Sequence, residues 1–116
     1  KKLRIPIRSN IIGTAKKLRT IIFYNSANKK KINYLKKKKI KVIKSDLNTS
    51  GNFDLKKALL KIKKLGFTRI FLESGLTLTN SFLSEGLVDL MELFVSDKNI
   101  GKKRNARGRL GEAIYA

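Results

Sequence analysis

The residues best placed to do chemistry lie in one short run, in which an apolar strand pattern ends in Glu-Ser-Gly and a helix pattern follows. The run is RIFLESGLTLTNS, residues 69–81. Gly75 permits a positive φ and a close approach of the backbone to a ligand. The first N–H groups of a helix that starts there point towards the turn, where the helix dipole favours an anion. Thr77, Thr79 and Ser81 add hydroxyl donors. The pattern predicts a phosphate-binding turn, although a plain strand-to-helix connection explains it about as well, since one glycine is less than a dinucleotide fingerprint.

The second chemical candidate is Glu73, an acid at the carboxyl end of the same strand pattern. The strand residues before it, Ile70, Phe71 and Leu72, are expected to be buried. In open α/β sheets ligands bind outside the carboxyl ends of the strands, and a carboxylate there accepts hydrogen bonds from the N–H and O–H groups of a polar substrate. The alternative is a structural acid paired with one of the many lysines.

Composition narrows the chemistry further. The chain of 116 residues contains no cysteine and no histidine, so disulfides, thiolate zinc sites and imidazole catalysis are excluded for this polypeptide acting alone. No run approaches the roughly 18 apolar residues that span a bilayer. The first ten residues lack the features of a secretory signal. We therefore expect a cytoplasmic protein without a membrane segment.

The formal charge of +20 suggests a nucleic-acid-binding module as an alternative of another class. Lysine outnumbers arginine 21 to 7, however, as A/T-rich codon usage produces. The lysines are accompanied only by scattered aromatic residues, whereas single-strand binders interleave basic and stacking residues. Solvated helix faces are the favoured interpretation of the charge, and nucleic acid is an unlikely partner.

The elements that must position the candidate residues alternate between strand and helix patterns. Four β-branched or aromatic runs predict strands, and three stretches between them have helical character, which together favour an α/β fold with a mostly parallel sheet. The predicted strands are residues 20–24, 39–44, 69–73 and 90–96, and the predicted helices are residues 27–38, 55–65 and 77–85. Ser26 and Asp54 are the expected caps of the first two helices. The first helix has only Ile32 and Leu35 as its apolar side, which predicts shallow burial.

The length allows one domain with a single core, residues 1–116. Residues 97–111 are rich in Gly, Lys and Arg, and we interpret them as a mobile loop. Both ends of the sequence start and stop abruptly, which suggests a piece of a larger protein. A fragment whose sheet lacks strands would expose sheet edges and apolar surface, so self-association is expected.

The chain resembles the carboxyl-terminal reductase domain of the bifunctional riboflavin-biosynthesis deaminase/reductase. The resemblance lies in the segments LRIP, TIIF and IKVIK and in the long run over residues 54–101. The most specific feature is the order Glu-x-Gly, a Thr/Leu helix, Phe-Leu-x-x-Gly-Leu-Val-Asp and an apolar strand. The resemblance implies a dihydrofolate-reductase-like fold, a three-layer α/β/α arrangement of which this chain is a fragment. It also implies NADPH as the cofactor for reduction of the phosphorylated pyrimidine 5-amino-6-(5-phosphoribosylamino)uracil to its ribityl product. The resemblance further implies a homodimer formed through the reductase domain, and a fragment that is inactive alone.

The resemblance also assigns roles to residues of this sequence. Glu73 matches the family's substrate-contacting acid. The family's dinucleotide-binding loop and helix start match Gly75, Leu76, Thr77, Leu78, Thr79, Asn80 and Ser81. Ser74 stands where the family usually has Gly or Ala. No catalytic acid or base and no metal ligand is assigned. A pyrimidine or folate reductase of the same superfamily would share the cofactor site and differ in substrate.

Overall fold

A computed structural model describes residues 2–95 and 97, and in this part the chain forms four helices and two strands. In chain order they are α1 (Asn10–Thr14), β1 (Ile21–Tyr24), α2 (Lys29–Lys37), β2 (Lys41–Lys44), α3 (Leu55–Lys64) and α4 (Leu76–Ser84). The chain divides into two units, Lys1–Phe67 and Thr68–Ala116. The first holds α1 to α3 and both strands, and the second holds α4.

The sheet of the first unit consists of β1 and β2, which pair in parallel with Ile21 opposite Lys41 and Tyr24 opposite Lys44. A parallel pair needs a crossover connection, and α2 supplies it. Both strands lie within the runs that the sequence predicts. The α/β class and the parallel pairing of these two strands are therefore confirmed.

The core of the first unit is a small cluster in which Ile12, Ala15, Leu35 and Ile40 are buried. Leu35 of α2 has no exposed surface, so the expectation of shallow burial is wrong for this side chain. The reason is α1, which supplies Ile12 to the cluster. This helix is not predicted from the sequence, because its five residues show too little of a helical period to be recognised.

Local capping signals set the helix boundaries. The side chain of Asp54 accepts a hydrogen bond from the Lys57 amide at 3.0 Å, as expected of the cap of α3. The cap of α2 is Asn28, which accepts from the Lys31 amide at 2.9 Å. The prediction of Ser26 for this role is wrong, because α2 begins two residues later than the sequence suggested. Gly66, with φ 91°, follows α3 and reverses the backbone there.

The third and fourth predicted strands are not formed in the described part of the second unit. Residues 69–73 and 90–95 have no strand structure, and residue 96 lies outside the described residues. Phe71 is 86% exposed and Phe94 is 92% exposed, so the expectation of a buried strand before Glu73 is wrong. A strand forms only where its N–H and C=O groups pair with a neighbouring strand. The β-branched and aromatic residues of a run favour a strand, but they do not supply the neighbouring strand. The predicted mobile loop, residues 97–111, falls outside the described residues except for Asp97.

No helix in residues 2–95 is long and apolar enough to cross a membrane.

Candidate functional site

The start of α4 lies where the sequence predicts an anion-binding turn, and it has no side-chain cap. Gly75 is its N-cap residue, in extended conformation, and its carbonyl accepts from the amides of Leu78 at 3.1 Å and Thr79 at 3.2 Å. The amides of Leu76 and Thr77 precede the first intrahelical bonds, and such amides carry the positive end of the helix dipole. The helix start is therefore suited to an anion.

Gly75 does not owe its place to backbone strain. Its φ is −70°, which any residue adopts, so the positive φ that glycine permits is not used here. A Cβ added to Gly75 would meet no heavy atom within 4 Å. Neither backbone strain nor lack of space therefore requires a glycine at this N-cap position, and the space above its Cα is open.

Hydroxyl groups at the helix start form hydrogen bonds within the protein. Ser74 Oγ and Thr79 Oγ1 are 2.9 Å apart and share a hydrogen bond. Ser81 Oγ donates to the carbonyl of Thr77 at 3.0 Å. The hydroxyls of Thr79 and Ser81 therefore already have partners within the protein, and the backbone amides remain the principal donors of the turn.

The other predicted contacts of this helix differ in their exposure. Thr77 is exposed and Leu78 is 42% exposed, whereas Leu76 and Asn80 are half-buried. The hydrogen bond between Ser74 and Thr79 is not predicted from the sequence. The only signal for it was a hydroxyl five positions before another, which is too common a spacing to predict a bond.

Glu73 is exposed and lies two residues before the cap of α4. Within the described residues its carboxylate forms no ion pair, because the salt bridges there join Lys57 to Asp46 and Asp54. Pairing with a lysine, the structural alternative for this residue, is not observed. The carboxylate is available as an acceptor beside the helix start.

A second polar site lies at the carboxyl edge of the two-stranded sheet and was missed at the sequence level. Ser45 directly follows β2 and is completely buried, and its Oγ has no hydrogen-bond partner among the described residues. Asn25, directly after β1, donates from Nδ2 to the carbonyl of Ser45 at 3.0 Å. Ligands bind at this edge in open parallel sheets. The signal in the sequence was a polar pair, Ser45 and Asp46, immediately after a strand.

Some lysines of the charged runs have structural roles. Lys31 Nζ donates to the carbonyl of Ile5 at 2.5 Å, and Lys61 Nζ donates to the carbonyl of Lys44 at 2.6 Å. Lys57 Nζ lies 3.6 Å from Asp46 and 3.8 Å from Asp54. In the described part no three Asp or Glu side chains come together as they would around a metal ion.

Comparison with known proteins assigns the chain to a family. Over residues 1–113 the chain matches the model of the RibD C-terminal domain. It is 27% identical over 113 residues to the riboflavin biosynthesis protein RibD of Actinobacillus pleuropneumoniae, a match that covers 97% of this chain and 30% of that protein. It is 29% identical over 101 residues to the protein of the same name from Aquifex aeolicus, covering 87% of this chain and 26% of that protein.

The chain thus spans less than a third of the length of these curated relatives. The segment that carries Glu73 and the start of α4 lies inside the matched range. The resemblance that the motifs of residues 54–101 indicate is confirmed: the chain belongs to the RibD C-terminal domain family.

Proposed function

We propose that this chain forms the dinucleotide-binding part of a riboflavin-pathway reductase that reduces 5-amino-6-(5-phosphoribosylamino)uracil to its ribityl product with NADPH. The observation that carries the proposal is the family match over residues 1–113. The relatives are named for riboflavin biosynthesis. The uncapped start of α4 supports a phosphate-binding role for the matched turn.

The residues of the turn fit an NADPH phosphate. A phosphate oxygen needs N–H donors and room to approach the backbone, and α4 offers unpaired helix-start amides beside the open space at Gly75. In this proposal Leu76 and Thr77 donate their amides. The residues from Leu78 to Ser81 build the helix turn that holds those amides in place. When bound, NADPH supplies the hydride for the reduction.

Glu73 orients the substrate in this proposal. Its exposed carboxylate, without an ion pair in the described residues, accepts hydrogen bonds from the N–H and O–H groups of the aminouracil and its sugar. Hydride transfer needs the two reactants held in a fixed geometry more than it needs an acid or base on the protein. A positioning acid beside the cofactor turn meets that need.

The larger architecture is also part of the proposal. We place the chain in a dihydrofolate-reductase-like, three-layer α/β/α domain, of which it forms a fragment. We also propose that the protein forms a homodimer, which the exposed side chains of Phe71, Leu90 and Phe94 support.

A substrate panel tests the function directly. The full-length enzyme that carries this chain is incubated with NADPH and, separately, with the ribosylaminouracil phosphate, a diaminopyrimidinone analogue and dihydrofolate, while NADPH oxidation is followed by absorbance. We expect turnover with the first compound alone. Turnover of dihydrofolate or of the diaminopyrimidinone would instead assign the chain to another reductase of the same superfamily.

A further inference from the structure

Positive charge is unevenly distributed along the described chain. Residues 1–67, which form the first unit, contain 21 of the 28 lysines and arginines and two of the eight acidic residues. Residues 68–95 contain no lysine, one arginine and four acidic residues. Codon usage acts along a whole gene, so it does not explain this segregation. The positive charge of the described chain is therefore a property of the first unit.

The longest run of cations in the first unit lies at the carboxyl end of α2. Four consecutive lysines, Lys36–Lys39, are all exposed there, and we call them the lysine end of α2. Both salt bridges in the described residues are formed by Lys57, so the lysine end has no acidic partner among them. The helix dipole favours cations in the last turn of a helix, which accounts for Lys36 and Lys37. It does not account for Lys39, which lies beyond the C-cap of α2.

Lys39 has a backbone conformation that disfavours a side chain. Its φ is 66°, and no other residue except glycine has a positive φ in the described part of the chain. Its amide donates to the carbonyl of Lys36 at 3.0 Å, in the turn that ends α2. The same position after α3 and α4 holds Gly66, with φ 91°, and Gly86, with φ 64°. Glycine is the usual residue there, so α2 keeps a cation where the backbone favours glycine, and a strained residue of this kind suggests a function.

The surroundings of the lysine end favour a partner that offers charge and little apolar surface. Residues 19–59, all of which the structure describes, expose no large hydrophobic side chain. Segments that lie on membranes insert apolar side chains, and tight protein–protein contacts centre on large anchoring side chains. Proteins that bind single strands stack bases on exposed aromatic rings. The lysine end offers none of these features, whereas the phosphate backbone of a duplex requires only cations.

We propose that the lysine end of α2 binds the phosphate backbone of double-stranded DNA without regard to base sequence. DNA carries one negative charge per roughly 1.7 Å of helix axis, a density that suits adjacent cations without acidic partners. Contacts to phosphates fix a protein on a duplex without reading its sequence. Recognition of double-stranded RNA adds contacts to 2′-hydroxyl groups, for which lysine offers donors but no acceptor. The surface does not depend on the reductase activity proposed above.

The salt dependence of binding measures the number of phosphate contacts. The full-length enzyme that carries this chain is titrated into a fluorescent DNA duplex of random sequence at several salt concentrations, and binding is followed by anisotropy. We expect a dissociation constant of roughly 10⁻⁴–10⁻⁶ M near physiological salt. Four lysines that contact phosphates give a logarithmic salt slope of about −3 to −4. No binding in this range, or a slope near zero, would refute the surface.

Matched triple variants separate the lysine end from diffuse positive charge. The first combines Lys36→Gln, Lys37→Gln and Lys39→Gln. The control removes the same charge from exposed positions of α3 and combines Lys56→Gln, Lys63→Gln and Lys64→Gln. We expect the first variant to weaken duplex binding roughly tenfold or more and to make the salt slope less negative by about 3, whereas the control leaves both nearly unchanged. Equal losses in the two variants would contradict a surface on α2.

Single variants of Lys39 test its charge and its backbone separately. Lys39→Gly relieves the positive φ, so we expect a higher thermal unfolding midpoint. The same change removes one phosphate contact, so the salt slope should become less negative by about 1. Lys39→Arg keeps the charge and should keep the slope. An unchanged slope in Lys39→Gly would overturn the role of Lys39.

Other anions identify the partner. Single-stranded DNA of the same sequence, double-stranded RNA, polyglutamate and phosphatidylserine vesicles are compared with the DNA duplex at equal salt. We expect the DNA duplex to bind most tightly, and tighter binding of another anion would assign the surface to that partner instead. Saturating NADPH should leave duplex binding unchanged. Displacement by NADPH would place the duplex at the candidate NADPH turn and overturn the proposal.

Discussion

Replacement of Gly75 by valine separates the two possible reasons for a glycine at the start of α4. In the free protein an added Cβ meets nothing within 4 Å and φ is −70°, so the change costs only the loss of a tolerable N-cap residue, about 1 kcal/mol. With NADPH bound, the two methyl groups occupy the space above the turn. Each charge-assisted hydrogen bond that the phosphate then loses from the Leu76 or Thr77 amide is worth about 1.5–3 kcal/mol.

Loss of both bonds therefore weakens NADPH binding by about 3 kcal/mol or more, which is at least roughly 100-fold. The affinity is measured by calorimetric titration of the full-length enzyme that carries this chain with NADPH, and stability is measured by thermal unfolding of the same samples. Gly75→Ala is the graded control and should give a smaller loss. Unchanged NADPH affinity in a folded Gly75→Val protein would refute the assignment of this turn to the cofactor.

Three further sets of substitutions test the fold and the association state. Leu35→Ala should lower the unfolding free energy by about 3 kcal/mol in denaturant titrations, because Leu35 is fully buried. The control Leu60→Ala, at a side chain 57% exposed, should lower it by less than about 1 kcal/mol. Similar losses for the two variants would contradict the described core. Asp54→Ala should cost about 1 kcal/mol by loss of the α3 cap and Asp54→Asn only a few tenths, and equal losses in thermal unfolding would show that charge matters more than the cap bond. Phe71→Ser combined with Phe94→Ser should reduce self-association in sedimentation experiments, since these rings are 86% and 92% exposed; an unchanged association state would place the dimer contact elsewhere.

The candidate turn shows how far local sequence leads. The order of Glu73, Gly75 and a helix was readable from the residues themselves, and α4 begins one residue before the predicted start. The conformation of Gly75 was not readable, because glycine permits many φ values and the sequence does not choose among them. The bond between Ser74 and Thr79 depends on two side-chain rotamers, which no local pattern fixes.

The predicted strands show what the local sequence cannot decide. The run at β1 and the run at β2 became strands because each lies beside the other and α2 connects them. Residues 69–73 have a similar composition but no strand neighbour in the described part of their unit, and Phe71 is exposed there. Composition sets the tendency to be a strand, and only a partner satisfies the backbone groups.

The sequence by itself determined the features that depend on adjacent residues: the α/β class, the helices that follow the N-cap residues Asp54 and Gly75, the strands of the parallel pair, and the family. Tertiary structure alone decided the complete burial of Leu35, the buried hydroxyls of Ser9 and Ser45, and a cavity between α1 and α2. The physical reason is distance along the chain. Caps, turns and periodicity act over a few residues, whereas burial and cavities arise from residues that packing brings together from distant positions.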